Sequence, residues 1–257
     1  MYKRKCISLQ PNVIHDYRFM ILVSMMPNEI YDTISKDYRK LETRIDKYLP
    51  KAISIFKKAK AFPIWYVDDY VIPATKNEHV TFYYASNPSE VYNPQYIIFS
   101  ITSSDDNRYV IKAVDMPYKE TSDSKPILLP QIHSYTSHFL HRYNERFLHK
   151  SDITANEIAG LFLIKNRRPF IIDLNEDIKN HFSEYGEYNT RGVKVDGGFC
   201  FVRTAFHHDK ANFDEKETML IVYTTFVSNN EMTDTQKKAI DKACEETLMR
   251  CISEFRK

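Results

Sequence analysis

Near residue 62, the spacing of apolar residues changes from a helical pattern to one typical of strands, and this change restricts the possible folds most strongly. From 28 to 61, apolar side chains recur every three or four positions, which is the spacing of one helix face. That stripe consists of Ile30, Ile34, Tyr38, Leu41, Ile45 and Tyr48. We expect Pro50 to break or restart the helix, because proline removes a backbone donor. The segment therefore predicts one long helix, or a helical pair, packed on another layer.

The residues after this helix are typical of strands. Four segments are rich in Tyr, Phe, Val and Ile, and prolines, asparagines and a polar run separate them. These segments are 64–72, 79–85, 95–102 and 108–115. Strand propensity with this turn punctuation predicts an antiparallel meander.

The remainder mixes helical and strand patterns. Capping boxes at Thr154/Glu157 and Thr233/Gln236 predict helix starts, the second opening a helix that runs to about 255. The other predicted elements are a strand at 127–132, a helix at 134–149, strands at 168–174, 191–206 and 218–227, and a short helix or loop at 176–185. We expect an α+β fold with an N-terminal helical segment, an antiparallel sheet, a helix pair and a C-terminal helix.

A soft boundary is expected in the polar segment 117–126. It divides residues 1–125, a helix plus meander without assignment, from residues 126–257, a helix-helix-strand-strand-helix region. Two domains and one fused fold both agree with this pattern.

Composition narrows the classes of function. The chain of 257 residues has 5 glycines and neither G-x-G-x-x-G nor a P-loop, which argues against folds whose backbone cradles phosphates. The net charge is +2, so there is no global basic field, although basic side chains outnumber acidic ones in residues 1–60. Two interpretations of that basic helix stay open: a solvated face, or a surface for a polyanion or an acidic protein partner.

Cysteine usage and hydropathy indicate the compartment. The four cysteines form no C-x-x-C pair, and no apolar run is long enough to span a bilayer. We expect a cytoplasmic protein that is not bound to a membrane. We expect neither a cofactor nor a metal, because His207-His208-Asp209 shows no metal-ligand spacing such as H-E-x-x-H and is better explained as a solvated loop.

One constellation is typical of chemistry on phosphodiesters. On a helix with about 100° per residue, His138, Arg142, Glu145 and His149 fall within one sector, and Arg146 lies at its edge. A histidine or glutamate can accept a proton from an attacking hydroxyl, and a guanidinium can hold the phosphate oxygens. No metal is needed where the substrate supplies a 2′-hydroxyl. The alternative is an ordinary solvated helix face with surface ion pairs.

The pattern His138-x-x-x-Arg142-x-x-Glu145-Arg146, followed by Ile153-Thr154 and Glu157-Ile158, resembles the opening of the barnase–EndoU–colicin–RelE-like nuclease superfamily. The resemblance covers about 130–230. It implies RNA cleavage without metal, and many members are toxins. Residues 1–125 match nothing in these nucleases, and 147–150 stands where relatives tend to have a tight glycine turn.

The resemblance also implies roles for particular residues. His138 is the expected general base or acid, and Arg142 and Arg146 hold phosphate. The basic residue of a middle strand is Arg191 or Lys194, and the late-strand hydroxyl is Thr224 or Thr225. The expected function is a metal-independent ribonuclease or a catalytically inactive relative that acts on RNA. The alternative is a non-enzymatic binding or accessory protein, such as one encoded by a mobile element.

Overall fold

A computed structural model describes residues 25–104, 107–118, 127–167, 169–182, 191–207 and 218–256. Its first half consists of one helix and five strands. These are α1 (Pro27–Phe56), β1 (Ile64–Val71), β2 (Glu78–Ala85), β3 (Gln95–Ser104), β4 (Asn107–Tyr118) and β5 (Ile127–Thr136).

The second half alternates between helices and strands. The elements are α2 (Ser137–Tyr143), α3 (Ala155–Lys165), β6 (Phe170–Asp173), α4 (Glu176–His181), β7 (Arg191–Val195), β8 (Gly198–His207), β9 (Thr218–Ser228) and α5 (Asp234–Arg256). Between α2 and α3 lies one π-helical turn, Asn144–Leu148. Both predicted capping boxes are present: Glu157 accepts from the Thr154 amide at 2.8 Å, and Gln236 accepts from the Thr233 amide at 2.9 Å.

The nine strands of the described residues form a single sheet in the order β1-β2-β3-β4-β5-β9-β8-β7-β6. The central pair β5–β9 is parallel, and the other neighbours are antiparallel. The α+β prediction is confirmed, as is the meander. Strands β4 and β5 pair from Tyr109↔Thr136 to Tyr118↔Ile127, so the sheet is continuous across the boundary placed between 125 and 126.

Helices cover both faces of this sheet. Helix α1 packs through Phe56 on Tyr83 and through Ile34 on Ile111 and Ile132. Alternate residues of the same strands point to the other face, where Phe82 and Tyr135 form the largest apolar cluster with helices α2 and α3. Helix α5 packs on Phe199 and Val227, which belong to a separate cluster.

Close packing of α3 on the sheet depends on one glycine. A Cβ built at Gly160 would lie 2.1 Å from Cδ2 of Phe82, a buried ring. Only glycine allows the helix backbone to approach the ring of β2 so closely.

Two helix predictions were wrong in detail. Pro50 lies inside a continuous helix, because Ile45 before it and Ala52 and Phe56 after it pack in one cluster against β2. The helix predicted at 134–149 begins only at Ser137. Residues 134–136 extend β5, which pairs there with β4 and, up to Tyr135, with β9.

Candidate functional site

Helix α2 carries the predicted polar row on its outer side. The hydroxyl of Thr136 caps the helix by accepting the Phe139 amide hydrogen at 3.1 Å. Phe139, Leu140 and Tyr143 are buried against the sheet. The other side of the helix must therefore point away from the sheet. In agreement, His138, His141 and Glu145 are exposed.

The π-helical turn changes the direction of the side chains that follow. The His149 amide donates to the Asn144 carbonyl at 2.8 Å, and His149 has a positive φ of 51°. Because this turn contains more residues than an α-helical turn, 100° per residue no longer applies beyond Asn144. Arg146 consequently turns toward the sheet, where its Nη1 donates to the Phe226 carbonyl at 2.7 Å.

Four residues of this segment border one groove with the end of β9 and the loop after it. The groove has a volume of about 360 Å³ and is lined by Arg142, Glu145, Arg146, His149, Ser228, Asn230 and Glu231. We call it the α2 groove. Three of the predicted site residues thus share a concave surface: Arg142, Glu145 and Arg146.

The α2 groove contains two ion pairs that differ in their exposure to solvent. Nη1 of Arg142 donates to Glu145 Oε2 at 2.7 Å, and this hydrogen bond lowers the pKa of Glu145 below its ordinary value. The side chains of both residues are well exposed, at 36% and 49%. Arg146 is more enclosed, with 18% of its side chain exposed and its Nε 3.3 Å from Glu231 Oε1. The Arg142 pair is therefore the one that a ligand anion can exchange most readily.

The other predicted catalytic residues lie away from the α2 groove. His138 is exposed on α2 but does not line the groove. Thr225 pairs in register with Phe201, whose ring packs in the cluster of α4 and α5, so Thr225 lies on the opposite face of the sheet from α2. Thr224 occupies the irregular position in this pairing and donates its hydroxyl to the Phe201 carbonyl at 2.9 Å.

The two cations predicted to bind substrate form ion pairs elsewhere. Arg191 Nε lies 3.1 Å from Asp173 Oδ1 on the neighbouring edge strand. Lys194 Nζ lies 2.6 Å from Asp241 Oδ1 on α5, on the face opposite α2. The structure does not bring Arg191, Lys194, Thr224 or Thr225 into the lining of the α2 groove, because β7 is separated from β9 by a strand and Thr225 faces the wrong side.

Sequence reasoning missed a buried polar cluster beneath α1. Asp37 Oδ2 accepts from Asn77 at 2.6 Å, from Thr75 at 2.9 Å and lies 3.2 Å from His79 Nε2. His79 Nδ1 is 2.9 Å from the Ser100 hydroxyl. We call these five residues the Asp37 cluster. The only available signal was one aspartate within an apolar helical stripe.

The Asp37 cluster is structural, although its Asp–His–Ser order resembles a catalytic triad. Asp37, His79 and Ser100 are at most 1% exposed, so no substrate reaches the serine. Burial alone would raise the pKa of Asp37, but hydrogen bonds from Asn77, Thr75 and His79 outweigh burial and lower it. Burial lowers the pKa of His79 despite the opposing effect of Asp37.

A second polar surface interleaves cations with tyrosines on α1 and β1. The guanidinium of Arg44 is held by Asp68 at 2.7 and 2.9 Å and stacks 3.9 Å from the Tyr70 ring centre. We call this the α1–β1 surface; it comprises Arg44, Lys47, Tyr48, Lys51, Tyr66 and Tyr70, which are joined by cation–π contacts. Tyrosines next to cations are typical of surfaces that bind polyanions.

No family model matches the chain, and neither a curated protein nor a solved structure matches it. Among the described ranges, no group of three or more His, Cys, Asp and Glu side chains is suited to a metal ion, and His208 and Asp209 lie outside those ranges. No helix in the described part of the chain is both long and apolar enough to cross a membrane.

Proposed function

We propose that this protein binds RNA phosphates in the α2 groove without cleaving the RNA. The observation that carries the proposal is that Arg142, Arg146 and His149 line the same groove. Neither the expected base, His138, nor the expected hydroxyl of Thr224 or Thr225 lines it. The protein would then keep the phosphate-gripping part of a nuclease-like site. Free thiols at Cys200, Cys244 and Cys251 fit the cytoplasm as the place of this binding.

The chemistry of Arg142 supports phosphate binding. Its hydrogen bond to Glu145 occupies one of the five guanidinium N–H groups, and the pair is largely exposed. An exposed pair of this kind contributes at most about 1 kcal/mol, so a phosphate that accepts two parallel hydrogen bonds can replace the carboxylate. Arg146, held at the Phe226 carbonyl, places a second guanidinium in the same lining.

The arrangement does not support catalysis by His138 and Thr225, the base and the hydroxyl expected from the sequence. A general base must come within about 3 Å of the proton that it removes. His138 lies outside the lining of the groove, and Thr225 faces the other side of the sheet. We therefore infer a binding role for the groove.

The test uses a fluorescently labelled single-stranded RNA at low salt with EDTA present. Arg142→Gln should weaken binding about tenfold and reduce the slope of log affinity against log salt by about 1. Arg39→Gln is the matched control, because Arg39 is an exposed arginine on α1. Equal affinity of wild type and Arg142→Gln, or an equal loss in Arg39→Gln, would overturn the proposal.

A metal-independent ribonuclease remains a second candidate, because His149 and Glu145 border the same groove as the two arginines. A histidine and a carboxylate can serve as the acid–base pair for transesterification. In that case RNA is cut in EDTA, and His149→Ala removes the activity while His138→Ala retains it. RNA that stays intact with purified wild type excludes this candidate.

An acidic protein partner at the α1–β1 surface is a third candidate, favoured by its cation–π contacts. The double variant Lys47→Gln/Lys51→Gln separates it from the others. If that variant weakens RNA binding as much as Arg142→Gln does, the α2 groove is not the binding site. If it affects only capture of an acidic peptide such as polyglutamate, the α1–β1 surface has a partner of its own.

A further inference from the structure

Strands β3 and β4 separate along part of their length. They pair only from Ser100↔Ile111 to Ser104↔Asn107, although β3 begins at Gln95 and β4 continues to Tyr118. Within these described strands no backbone pairing joins 95–99 to 112–118. Tyr38 of α1 reaches into the opening from one side, with its hydroxyl 3.5 Å from the Ile98 carbonyl. The sheet therefore contains a cleft between two neighbouring strands.

The residues that line this cleft include cations but no carboxylate. Its volume is about 290 Å³, and it is lined by Tyr38, Tyr96, Ile97, Ile98, Lys112 and Arg167. The lining thus combines two cations, two tyrosines and two isoleucines, without a carboxylate. Arg167 is exposed at the end of α3 and donates from Nη2 to the Tyr96 carbonyl at 3.2 Å.

Neither cation has a carboxylate partner among the residues that the structure describes. That sets the two cations apart from those of the predicted site. Lys194, Arg191, Arg142 and Arg146 all form ion pairs. Two like charges that converge on one cavity repel each other, and an anion between them lowers the electrostatic free energy of the site.

We propose that the cleft between β3 and β4 is a binding site for a small organic phosphate monoester, with the phosphate between Lys112 and Arg167 and its apolar part against Ile97, Ile98 and the tyrosine rings. This site is separate from the α2 groove and does not depend on RNA binding there. It also needs no glycine-rich loop, because side chains rather than backbone amides supply the positive charge.

The charge and the shape of the cleft both select this class of ligand. A phosphate monoester is close to dianionic at pH 7, which matches two cations, whereas a carboxylate supplies one charge. A guanidinium binds two phosphate oxygens with parallel hydrogen bonds, and an ammonium binds as a point charge. The two isoleucines provide apolar area that a bare inorganic phosphate cannot use.

The electrostatics of Lys112 agree with a site for an anion. Burial, and secondarily the charge of Arg167, lowers the pKa of Lys112 to about 8. The groups that face it are Arg167 from α3, Tyr38 from α1, Tyr96 from β3 and His133 opposite it in β5. None of these is a carboxylate. A lysine loses its charge as the pH rises through its pKa, so affinity for the phosphate should fall between pH 7 and pH 9.

The experiment measures binding of phenyl phosphate, inorganic phosphate and benzoate to the full chain by calorimetry at pH 7. We expect phenyl phosphate to bind at least tenfold more tightly than either of the others. Lys112→Met and Arg167→Gln should each weaken phenyl phosphate at least tenfold. Lys58→Met and Arg39→Gln, which replace exposed cations outside the cleft, should leave it unchanged.

Each other result overturns the proposal in a defined way. Equal binding of phenyl phosphate by wild type, Lys112→Met and Arg167→Gln places the ligand elsewhere. If benzoate binds as tightly as phenyl phosphate, the site does not select a phosphate group. If inorganic phosphate binds as tightly as phenyl phosphate, the apolar part of the ligand contributes nothing to binding. Lys112→Met keeps the side-chain length and removes a buried charge, so it should fold, and unfolding in urea verifies that it does.

Discussion

Two helices of this protein carry polar side chains within helical patterns, and they use them in opposite ways. On α1, Asp37 is fully buried and accepts hydrogen bonds from Thr75 and Asn77 in the turn before β2. At the end of α2, Arg142 pairs with Glu145 of the π-helical turn three positions later, and both side chains remain exposed. Polar residues that recur on a helix therefore do not identify a site by themselves. Their long-range partners determine whether they are structural or free to bind a ligand.

The largest expected effect is the loss of the Asp37 cluster. Asp37→Ala removes the buried carboxylate that accepts hydrogen bonds from Asn77 and Thr75, so it should lower the free energy of unfolding by about 3 kcal/mol or more. Urea denaturation measures this change. Glu145→Ala is the matched control, because an exposed pair contributes less than about 1 kcal/mol. Equal losses in both variants would remove the distinction between the two helices.

The pH dependence of the free energy of unfolding tests the buried histidines in the same way. Burial lowers the pKa of His133 from its ordinary value of 6.5 to about 3, and burial also lowers that of His79. The unfolded chain gains protons below about pH 6.5 that the folded chain does not, so stability is present above this pH and is lost as the pH falls toward 3. Each histidine contributes a slope of up to about 1.4 kcal/mol per pH unit.

Unfolding in urea at pH 7, 6 and 5 measures this slope. Between pH 6 and pH 5 we expect a loss of about 1 kcal/mol from His133, and His79 adds a loss of the same sign. His133→Gln should remove the contribution of His133 to this slope, because glutamine does not titrate. A slope that is the same in wild type and His133→Gln would show that His133 does not resist protonation in the folded state.

How far the sequence predicts this fold depends on the range of the interactions involved. The capping boxes at Thr154 and Thr233 and the meander β1–β4 depend on neighbours in the chain, and their predictions are confirmed. The parallel pairing of 131–135 with 219–223 joins segments far apart in the sequence, and no local pattern specifies it. Pro50 stays helical because of packing on β2, which the sequence does not reveal.

The candidate site was predictable only up to the π-helical turn. Arg142 lies where the helical wheel places it, on the outer side of α2, and pairs with the exposed Glu145 in the π-helical turn. Arg146 does not, because the turn directs it to the Phe226 carbonyl. Thr225 lies on the face opposite α2 for a related reason: the irregular pairing at Thr224 reverses which residues face α2 along the end of β9.

A smaller effect is expected from Arg146. Arg146→Met keeps most of the packing and removes the hydrogen bond to the Phe226 carbonyl, so it should cost about 1.5 kcal/mol of unfolding free energy. Thermal or urea unfolding detects a change of this size. A loss below about 0.5 kcal/mol would mean that Arg146 is as weakly held as Arg142.

The smallest effect on stability is expected from Arg142→Gln. Its exposed pair with Glu145 should be worth no more than about 0.5 kcal/mol, even though the same variant is expected to weaken RNA binding about tenfold. Unfolding and binding measured on one preparation separate the two roles. A large loss of stability would make Arg142 a structural residue.

The location of bound RNA tests the central claim most directly. A single-stranded RNA containing 4-thiouridine is irradiated with the full chain, and the crosslinked peptides are identified by mass spectrometry. The account predicts crosslinks in the segments 142–149 and 228–231, which line the α2 groove. Crosslinks confined to the α1–β1 surface, with none in these two segments, would contradict it.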